Sequence, residues 1–283
     1  MTRYGKSAPL RAVTDAEIET YQRDGVVCLR RIFDPGWIEA LRVAFEHAKV
    51  EHGPLAQSYA QADADGEFFF DVDVWTRLPD FRAFVFDSPA GEIVAALMQS
   101  ARVTFFYDQV FIKEPGKVAP TPWHQDQPYW RVDGFQVCTL WLPLDPVPRA
   151  TGVEFVRGSH RWDVLYSPVT FSDDQAPYEG DLPPVPDIDA RRDDYDIVSW
   201  DVAPGDCLVF QAMILHGAQG ADRVGRRRRV LATRWCGDDA RYIERDNKTN
   251  IPTFDAGLKP GDALAGPMFP SVWPRPVDQR AGA

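Results

Sequence analysis

Residues 103–113 read VTFFYDQVFIK, a run of aromatic and β-branched side chains that is typical of a buried β-strand. Short runs of similar composition follow, each bounded by Pro, Gly or Asp, at residues 135–142, 153–156, 206–210 and 230–235. Several short strands separated by turn residues are the pattern of an all-β sandwich or barrel. The sequence therefore predicts a β core over about residues 101–240.

The first hundred residues have a different texture and predict mainly helices. Thr14 and Glu17 match the capping-box pattern S/T-x-x-E, which opens a helix that should stop near Gly25. A short apolar run at 26–29 then predicts a strand. Two further helices are expected to begin at Asp34-Pro35 and near Ser88-Pro89.

These patterns predict one mainly β domain over residues 1–283, with a helical N-terminal layer of about residues 1–100. The stretch 165–195 is rich in proline and acidic residues and shows little periodicity. A long irregular stretch in a compact domain usually serves as a lid or binding insertion, so we expect one here. Residues 241–283 are expected to form a C-terminal tail.

Charge and composition exclude several classes of partner. The chain carries 31 Lys and Arg against 42 Asp and Glu, a formal charge of −11, which disfavours nucleic acid and anionic membranes. No apolar stretch approaches the roughly 18 residues that a membrane span requires. No secretory signal is evident, and the spacing of the cysteines indicates neither a disulfide framework nor a zinc site. We therefore expect a cytoplasmic protein with reduced thiols at Cys28, Cys138, Cys207 and Cys236.

Two histidines and one aspartate are the candidate chemical residues. His124 and Asp126 lie at the end of a short extended segment, where residues i and i+2 share a face. His216 follows a strand-like apolar run. Two histidines and a carboxylate are the ligands of a facial Fe(II) triad, which leaves open positions for a chelating cosubstrate and oxygen. Each residue alone also fits a structural role, because a His-x-Asp pair is common by chance and a lone histidine after an apolar run is more often part of the core.

A run of four arginines, residues 226–229, follows His216 as the chain enters a strand. An arginine beside a metal could bind the distal carboxylate of a dicarboxylate through two parallel hydrogen bonds. Strand alternation sends neighbours to opposite faces, so at least two of the four must lie on the surface.

The chain resembles the phytanoyl-CoA dioxygenase-like Fe(II)/2-oxoglutarate oxygenases over nearly its whole length. No single motif is specific, but together they are. The matching segments are residues 24–27 (DGVV), 113–116 (KEPG), 123–130 (WHQDQPYW), 141–145 (WLPLD), Gly152, 158–160 (GSH), 204–206 (PGD) and 216–217 (HG).

This resemblance implies a double-stranded β-helix core of the jelly-roll or cupin-like kind. It also implies that His124, Asp126 and His216 hold Fe(II). The arginine that binds 2-oxoglutarate is Arg228 if matched by strand register and Arg227 if matched by its interval from the distal histidine; we prefer Arg228. Residues near the cosubstrate align with Gln109 and Trp141, although Trp141 also fits a plain core position. Where the family often has serine, two residues after the distal histidine, this chain has Ala218.

The reaction implied by the resemblance is hydroxylation of an unactivated C–H bond, in which 2-oxoglutarate and O2 are consumed and succinate and CO2 released. Related halogenases replace the carboxylate ligand with a small residue, so Asp126 favours hydroxylation over chlorination. Tyr129 and Trp130, just past the iron motif, are candidate substrate contacts, with core packing the equal alternative. We expect a small or medium-sized metabolite as substrate; the oligomeric state cannot be read from the sequence.

Three alternatives remain open at this level. The same cofactors could support desaturation, cyclisation or epoxidation, because the outcome depends on which C–H bond lies beside the metal. A cupin-like metal-binding protein would have the barrel without oxygen chemistry. A redox-neutral metal isomerase or hydrolase would turn over without 2-oxoglutarate.

Overall fold

The computed structural model describes residues 4–60, 67–118, 120–169, 180–245, 251–252 and 254–275. Within these residues there are four α-helices: α1 (Asp15–Asp24), α2 (Pro35–Val50), α3 (Pro79–Asp87) and α4 (Ala90–Met98). The strands are β1 (Val26–Leu29), β2 (Gln57–Ala60), β3 (Glu67–Val72), β4 (Val103–Lys113), β5 (Gly116–Val118), β6 (Thr121–His124), β7 (Val132–Asp133), β8 (Val137–Pro143), β9 (Glu154–Val156), β10 (Ile197–Val198), β11 (Cys207–Gln211), β12 (His216–Ala218), β13 (Ala221–Val224), β14 (Arg228–Cys236), β15 (Arg241–Tyr242) and β16 (Ser271–Trp273).

Two antiparallel sheets form the core, as the β-rich patterning predicts. The larger sheet has the strand order β1-β11-β8-β14-β4-β3-β2, with β16 beside β4. The smaller sheet has the order β10-β9-β12-β6, and two further pairs join β13 to β5 and β15 to β7. The mainly β, double-stranded β-helix expectation is confirmed.

Strand alternation on β14 separates the two faces of the larger sheet. Val230 and Ala232 point inward and pack in one apolar cluster with Phe155 of the smaller sheet. Leu231 and Trp235 point outward into a separate cluster that contains side chains from all four helices. The helices thus cover the outer face of the larger sheet, and the space between the sheets is left for a site.

The N-terminal layer is helical as predicted but also contains strands. The capping box forms, since the Thr14 hydroxyl accepts from the Glu17 amide and the Glu17 carboxylate accepts from the Thr14 amide. The strands β2 and β3 were not predicted. They extend the larger sheet through the pairing of β3 with β4, a long-range contact that local composition does not report.

The insertion predicted at 165–195 is described only in part, and residues 170–179 lie outside the described residues. Tyr166 and Ile188 pack with Trp123 in a small apolar cluster. The indole N–H of Trp123 also donates to the Asp189 carboxylate, 3.1 Å away. These contacts fasten the described ends of the insertion beside β6.

Helix α1 ends at Asp24, and its C-cap residue, Gly25, has a left-handed backbone with φ of +80°. A Cβ atom added here would lie 2.4 Å from Nδ1 of His160. The other ring nitrogen of His160 lies 3.3 Å from the Gln22 carbonyl oxygen. His160 therefore packs on the end of α1.

We expect Gly25→Ala to lower the free energy of unfolding by more than about 2 kcal/mol, because a left-handed backbone costs an L-residue about 1–2 kcal/mol and the His160 contact adds a clash. Urea denaturation measures the change. Gly158→Ala is the matched control, since Gly158 has φ of +77° with nothing within 4 Å of an added Cβ. Equal losses of unfolding free energy for the two variants would mean that the His160 side chain moves aside without an energetic cost.

Candidate metal centre

The two candidate histidines lie directly opposite each other on neighbouring strands of the smaller sheet. His124 is the last residue of β6 and His216 the first of β12, and the antiparallel register pairs one with the other. Their ring centroids are 4.1 Å apart, and both side chains are buried. The pairing of these two strands is what brings together side chains that are far apart in the sequence.

Asp126 reaches the same cavity through a turn. The prediction that an extended strand would align it with His124 was wrong, because β6 ends at His124 and Asp126 has helical backbone angles. Its amide donates to the carbonyl of Ala212, 2.9 Å away, in the segment leading to His216. The expected direction of the side chain is nevertheless found.

The three side chains are close enough to share one ion. Oδ1 of Asp126 lies 3.7 Å from Nε2 of His124 and 3.7 Å from Nε2 of His216. With these two distances, and with the two histidine nitrogens at most 4.8 Å apart, the nearest point equidistant from the three ligand atoms is about 2.4 Å or less from each. This is close to metal–nitrogen and metal–oxygen bonds of about 2.0–2.2 Å. Among the described residues no other group of three His, Cys, Asp or Glu side chains comes this close.

Backbone carbonyls orient both imidazoles. Nδ1 of His124 donates to the carbonyl of Pro122 at 2.8 Å, and Nδ1 of His216 donates to that of Ile214 at 3.0 Å. With Nδ1 protonated, each Nε2 carries the lone pair that can bind a metal, and each Nε2 faces Oδ1 of Asp126. The Thr139 hydroxyl donates to Oδ2 of Asp126 at 2.8 Å, which leaves Oδ1 for the ion.

The local electrostatics favour the protonation states that bind a metal. Burial and the neighbouring charge of His124 lower the pKa of His216 to about 4, so its imidazole is neutral. Burial acts to raise the pKa of Asp126, but the nearby His124, His216 and Arg234 outweigh it and hold the pKa below its usual range. Two histidines and one carboxylate are the side chains of a facial Fe(II) site.

We expect Thr139→Val, which keeps the shape and removes the hydroxyl, to weaken Fe(II) binding about 10- to 100-fold, because residues that orient a metal ligand typically contribute this much. Anaerobic metal titration measures it. Thr233→Val is the matched control, since Thr233 is buried in the same sheet and its hydroxyl contacts Leu140 and Trp235. Equal affinity in the two variants would contradict the role of Thr139.

The arginine run divides between the two faces of the larger sheet. Arg227 pairs with Glu46 at 2.6 Å, and Arg229 pairs with Asp145 at 2.8 Å, both on the outer side. Arg228 is 8% exposed and donates to the carbonyl of Thr151 at 2.6 Å. Burial lowers its pKa to about 10, and no acidic side chain of the described residues forms an ion pair with it.

Lys113 is a second inward-facing cation that the sequence analysis missed. The register of β14 with β4 places it directly opposite Arg228, and its Nζ lies 5.2 Å from the centroid of the Phe68 ring. Burial and the charge of Arg228 lower its pKa to about 7. The sequence did contain a signal for this position. Strand alternation on β4 places the side chain of Lys113 on the same face as that of Gln109.

Gln109 and Trp141, predicted to lie near the cosubstrate, flank the same residue of β14. Ala232 pairs with Gln109 on one side and with Trp141 on the other. The three therefore form one row across the inner face, between the levels of Arg228 and Arg234. The side-chain oxygen of Gln109 accepts a hydrogen bond from Arg234 at 2.9 Å, a contact that sequence analysis did not predict.

Tyr129 and Trp130, the candidate substrate contacts, differ in position. The Tyr129 ring packs edge-on against His124, with centroids 5.9 Å apart, and its hydroxyl bonds the backbone of Val169 in the insertion. Trp130 is 1% exposed, and its N–H donates to the hydroxyl of Tyr107. Tyr129 thus touches the candidate centre, whereas Trp130 lies in the core behind it.

Gln125 has a positioning role that sequence analysis missed. Its amide nitrogen donates to the carbonyls of Val164 and Met213, and its oxygen accepts from the amide of Tyr166. It therefore ties the start of the insertion to the segment before His216. A polar residue between two candidate ligands was the only sequence signal for this role.

Comparison with known proteins adds a family assignment. The family model of phytanoyl-CoA dioxygenase (PhyH) matches residues 21–230. Comparison with curated protein sequences gave no match. No helix of the described residues has the length and apolar character needed to cross a membrane.

Solved structures share the fold at low sequence identity. The α-ketoglutarate-dependent epimerase SnoN from nogalamycin biosynthesis is 19% identical, with a TM-score of 0.71 over 94% of this chain and 97% of its own. The carbocyclase SnoK from the same biosynthesis is 22% identical, with a TM-score of 0.71 over 92% and 96%. EctD from S. alaskensis, solved with 2-oxoglutarate and 5-hydroxyectoine, is 16% identical, with a TM-score of 0.60 over 80% and 76%.

The family model spans most of the chain and includes the two histidines and the aspartate that the fold brings together. The chain therefore belongs to the phytanoyl-CoA dioxygenase family, whose members are oxygenases that use Fe(II), 2-oxoglutarate and O2.

Proposed function

We propose that this protein is a dioxygenase that hydroxylates an unactivated C–H bond of a small or medium-sized metabolite and releases succinate and CO2. The observation that carries the proposal is the buried His124–Asp126–His216 cluster, in which Nε2 of each histidine lies 3.7 Å from Oδ1 of Asp126 while the Thr139 hydroxyl bonds Oδ2. When bound there, Fe(II) would supply the redox chemistry with O2 and 2-oxoglutarate.

The residues of this chain would then have separate roles at the site. His124, Asp126 and His216 would hold the metal on one face, and Pro122, Ile214 and Thr139 keep these ligands oriented. Arg228 would bind the distal carboxylate of 2-oxoglutarate. A buried guanidinium with no acidic partner among the described residues supports that role, because a buried charge is costly unless it is paired.

Gln109 and Trp141 would border the cosubstrate, since their row crosses the inner face between Arg228 and the level of the metal ligands. Lys113 would add a second positive charge beside Arg228. Its amine would supply a hydrogen-bond donor. Ala218, which stands where the family often has serine, has no side-chain donor. Tyr129 would border the substrate, because its ring packs against His124.

A second outcome is favoured by the solved structures. SnoN is an epimerase and SnoK a carbocyclase, so this fold also supports reactions other than hydroxylation. We therefore keep desaturation, cyclisation or epoxidation with the same cofactors as the alternative outcome. The mass of the product separates hydroxylation or alkene epoxidation, each of which adds one oxygen atom, from desaturation or oxidative cyclisation, each of which removes two hydrogens.

We further propose a cytoplasmic enzyme, organised as one domain, that binds small molecules rather than nucleic acid. The four free cysteines and the formal charge of −11 support this setting. A lid role for the insertion stays a prediction.

The first test is an anaerobic titration of the metal-free protein with Fe(II) and then 2-oxoglutarate, followed by absorbance. A weak visible charge-transfer band is expected. Metal binding without a band would contradict the oxygenase and leave a cupin-like metal-binding protein as the better account. Succinate release across a panel of metabolites, with product masses, then identifies the substrate; turnover without 2-oxoglutarate consumption would indicate an isomerase or hydrolase.

A further inference from the structure

A second buried arginine lies on the inner face of β14, at the level of the candidate metal centre. Arg234 is 5% exposed and stands opposite Thr139 of β8, the residue that bonds Asp126. Its Nη1 donates to the carbonyl of Ala232 at 3.0 Å and its Nη2 to the side chain of Gln109 at 2.9 Å. The guanidinium is therefore folded back along the strand, towards Arg228.

The guanidinium of Arg234 is incompletely bonded. Its buried Nε has no hydrogen-bond partner, and within the described part of the chain no carboxylate lies within ion-pair distance. The Tyr107 ring lies 4.6 Å from its central carbon, which covers one face and leaves the N–H edge available. A buried cation with an unused donor is stabilised by an anionic ligand.

The two inward arginines frame an apolar strip. Arg228 and Arg234 are six residues apart on one strand, which spans about 20 Å between their Cα atoms. Between them the inward-facing residues are Val230 and Ala232, which belong to the apolar cluster between the sheets. Because the Arg234 guanidinium is folded back to the level of Ala232, the gap between the two guanidinium groups is shorter than this. A dicarboxylate lying along the strip would place one carboxylate towards each arginine.

We propose that Arg234 binds the carboxylate next to the oxo group of 2-oxoglutarate, the one that would also bind the metal, while Arg228 binds the distal carboxylate. This rests on the proposed function. It assigns to Arg234 the end of the cosubstrate beside Asp126, since Thr139 places both at one level. Gln109 acts as a positioning residue that holds the guanidinium in place.

Pyruvate tests the assignment, because it keeps the carboxylate and oxo group but lacks the distal carboxylate. With Fe(II)-loaded protein under anaerobic conditions, Arg234→Gln is expected to raise the dissociation constants of both 2-oxoglutarate and pyruvate about 10- to 100-fold, by a similar factor. Arg228→Gln should raise that of 2-oxoglutarate alone. Fe(II) affinity in Arg234→Gln should stay within about threefold of wild type, which a loss of structure at Asp126 would not allow.

Arg234→Lys keeps the charge and most of the volume if Arg234→Gln does not fold, and an intermediate loss of both ligands is expected because lysine lacks the planar fork. Unchanged pyruvate and 2-oxoglutarate binding in a folded variant would overturn the assignment. A loss confined to 2-oxoglutarate would also overturn it, since Arg234 would then act at the distal end. If wild type itself shows no 2-oxoglutarate band, the proposed function fails instead.

Discussion

Replacing His216 with alanine is expected to weaken Fe(II) binding by more than about a hundredfold and to abolish the absorption band with 2-oxoglutarate. Loss of a residue that merely orients a metal ligand already costs about 10- to 100-fold, and His216 would be a ligand itself. Its neutral imidazole, held by the carbonyl of Ile214, is one of the two nitrogen donors at the site. Anaerobic metal titration and succinate release measure the effect.

Two comparisons keep this result interpretable. His47→Ala removes an exposed histidine on α2 and should leave metal binding unchanged. His216→Gln keeps more of the volume that packs against Phe210, whose ring centroid lies 4.8 Å away, and guards against a loss caused by a cavity. Wild-type metal affinity in a folded His216→Ala protein would contradict the assignment of this cluster as the metal centre.

Replacing Arg228 with glutamine is expected to raise the concentration of 2-oxoglutarate needed for half-saturation about a hundredfold. Hydrogen bonds to a charged group contribute about 1.5–3 kcal/mol, and two parallel bonds from a buried guanidinium would be lost together. Titration of the absorption band measures the change. Unfolding of the ligand-free variant should require at least as much denaturant as wild type, because burial already disfavours this charge.

Arg227→Gln provides the discriminating comparison for Arg228. Arg227 pairs with Glu46 and Glu114 on the outer side, and solvent-accessible pairs of this kind contribute little. Its loss should change 2-oxoglutarate binding by less than about threefold. The opposite result, a large effect at Arg227 and none at Arg228, would show that the interval from the distal histidine, and not the strand register, locates the arginine.

Features that depend on neighbouring residues could be predicted from the sequence alone. The capping box of Thr14 and Glu17, the stop at Gly25 and the strand at residues 103–113 depend on neighbours within a few residues, and all appear where they were predicted. The second helix likewise begins after its capping residue, Asp34. Where a feature depended on distant residues, prediction failed, as with β2 and β3 in a layer expected to be mainly helical.

The candidate site shows the same division. The residue types and order of His124, Asp126 and His216 predicted a metal centre, but the sequence left each with an ordinary structural alternative. The antiparallel pairing of β6 with β12, and the turn that carries Asp126, bring their ligand atoms together. The distances between these ligand atoms cannot be predicted from any pattern along the chain.

The arginine run was ambiguous in sequence because four neighbouring arginines offer every register at once. The sequence determined that a guanidinium would lie close after His216, and that some of the run would face solvent. Only the tertiary structure decided that Arg228 turns inward, since β14 begins at this residue and outward carboxylates pair with its neighbours. It also placed Lys113 and Arg234 on the same inner face, because strand pairing and alternation, rather than proximity in sequence, determine which charges share a cavity.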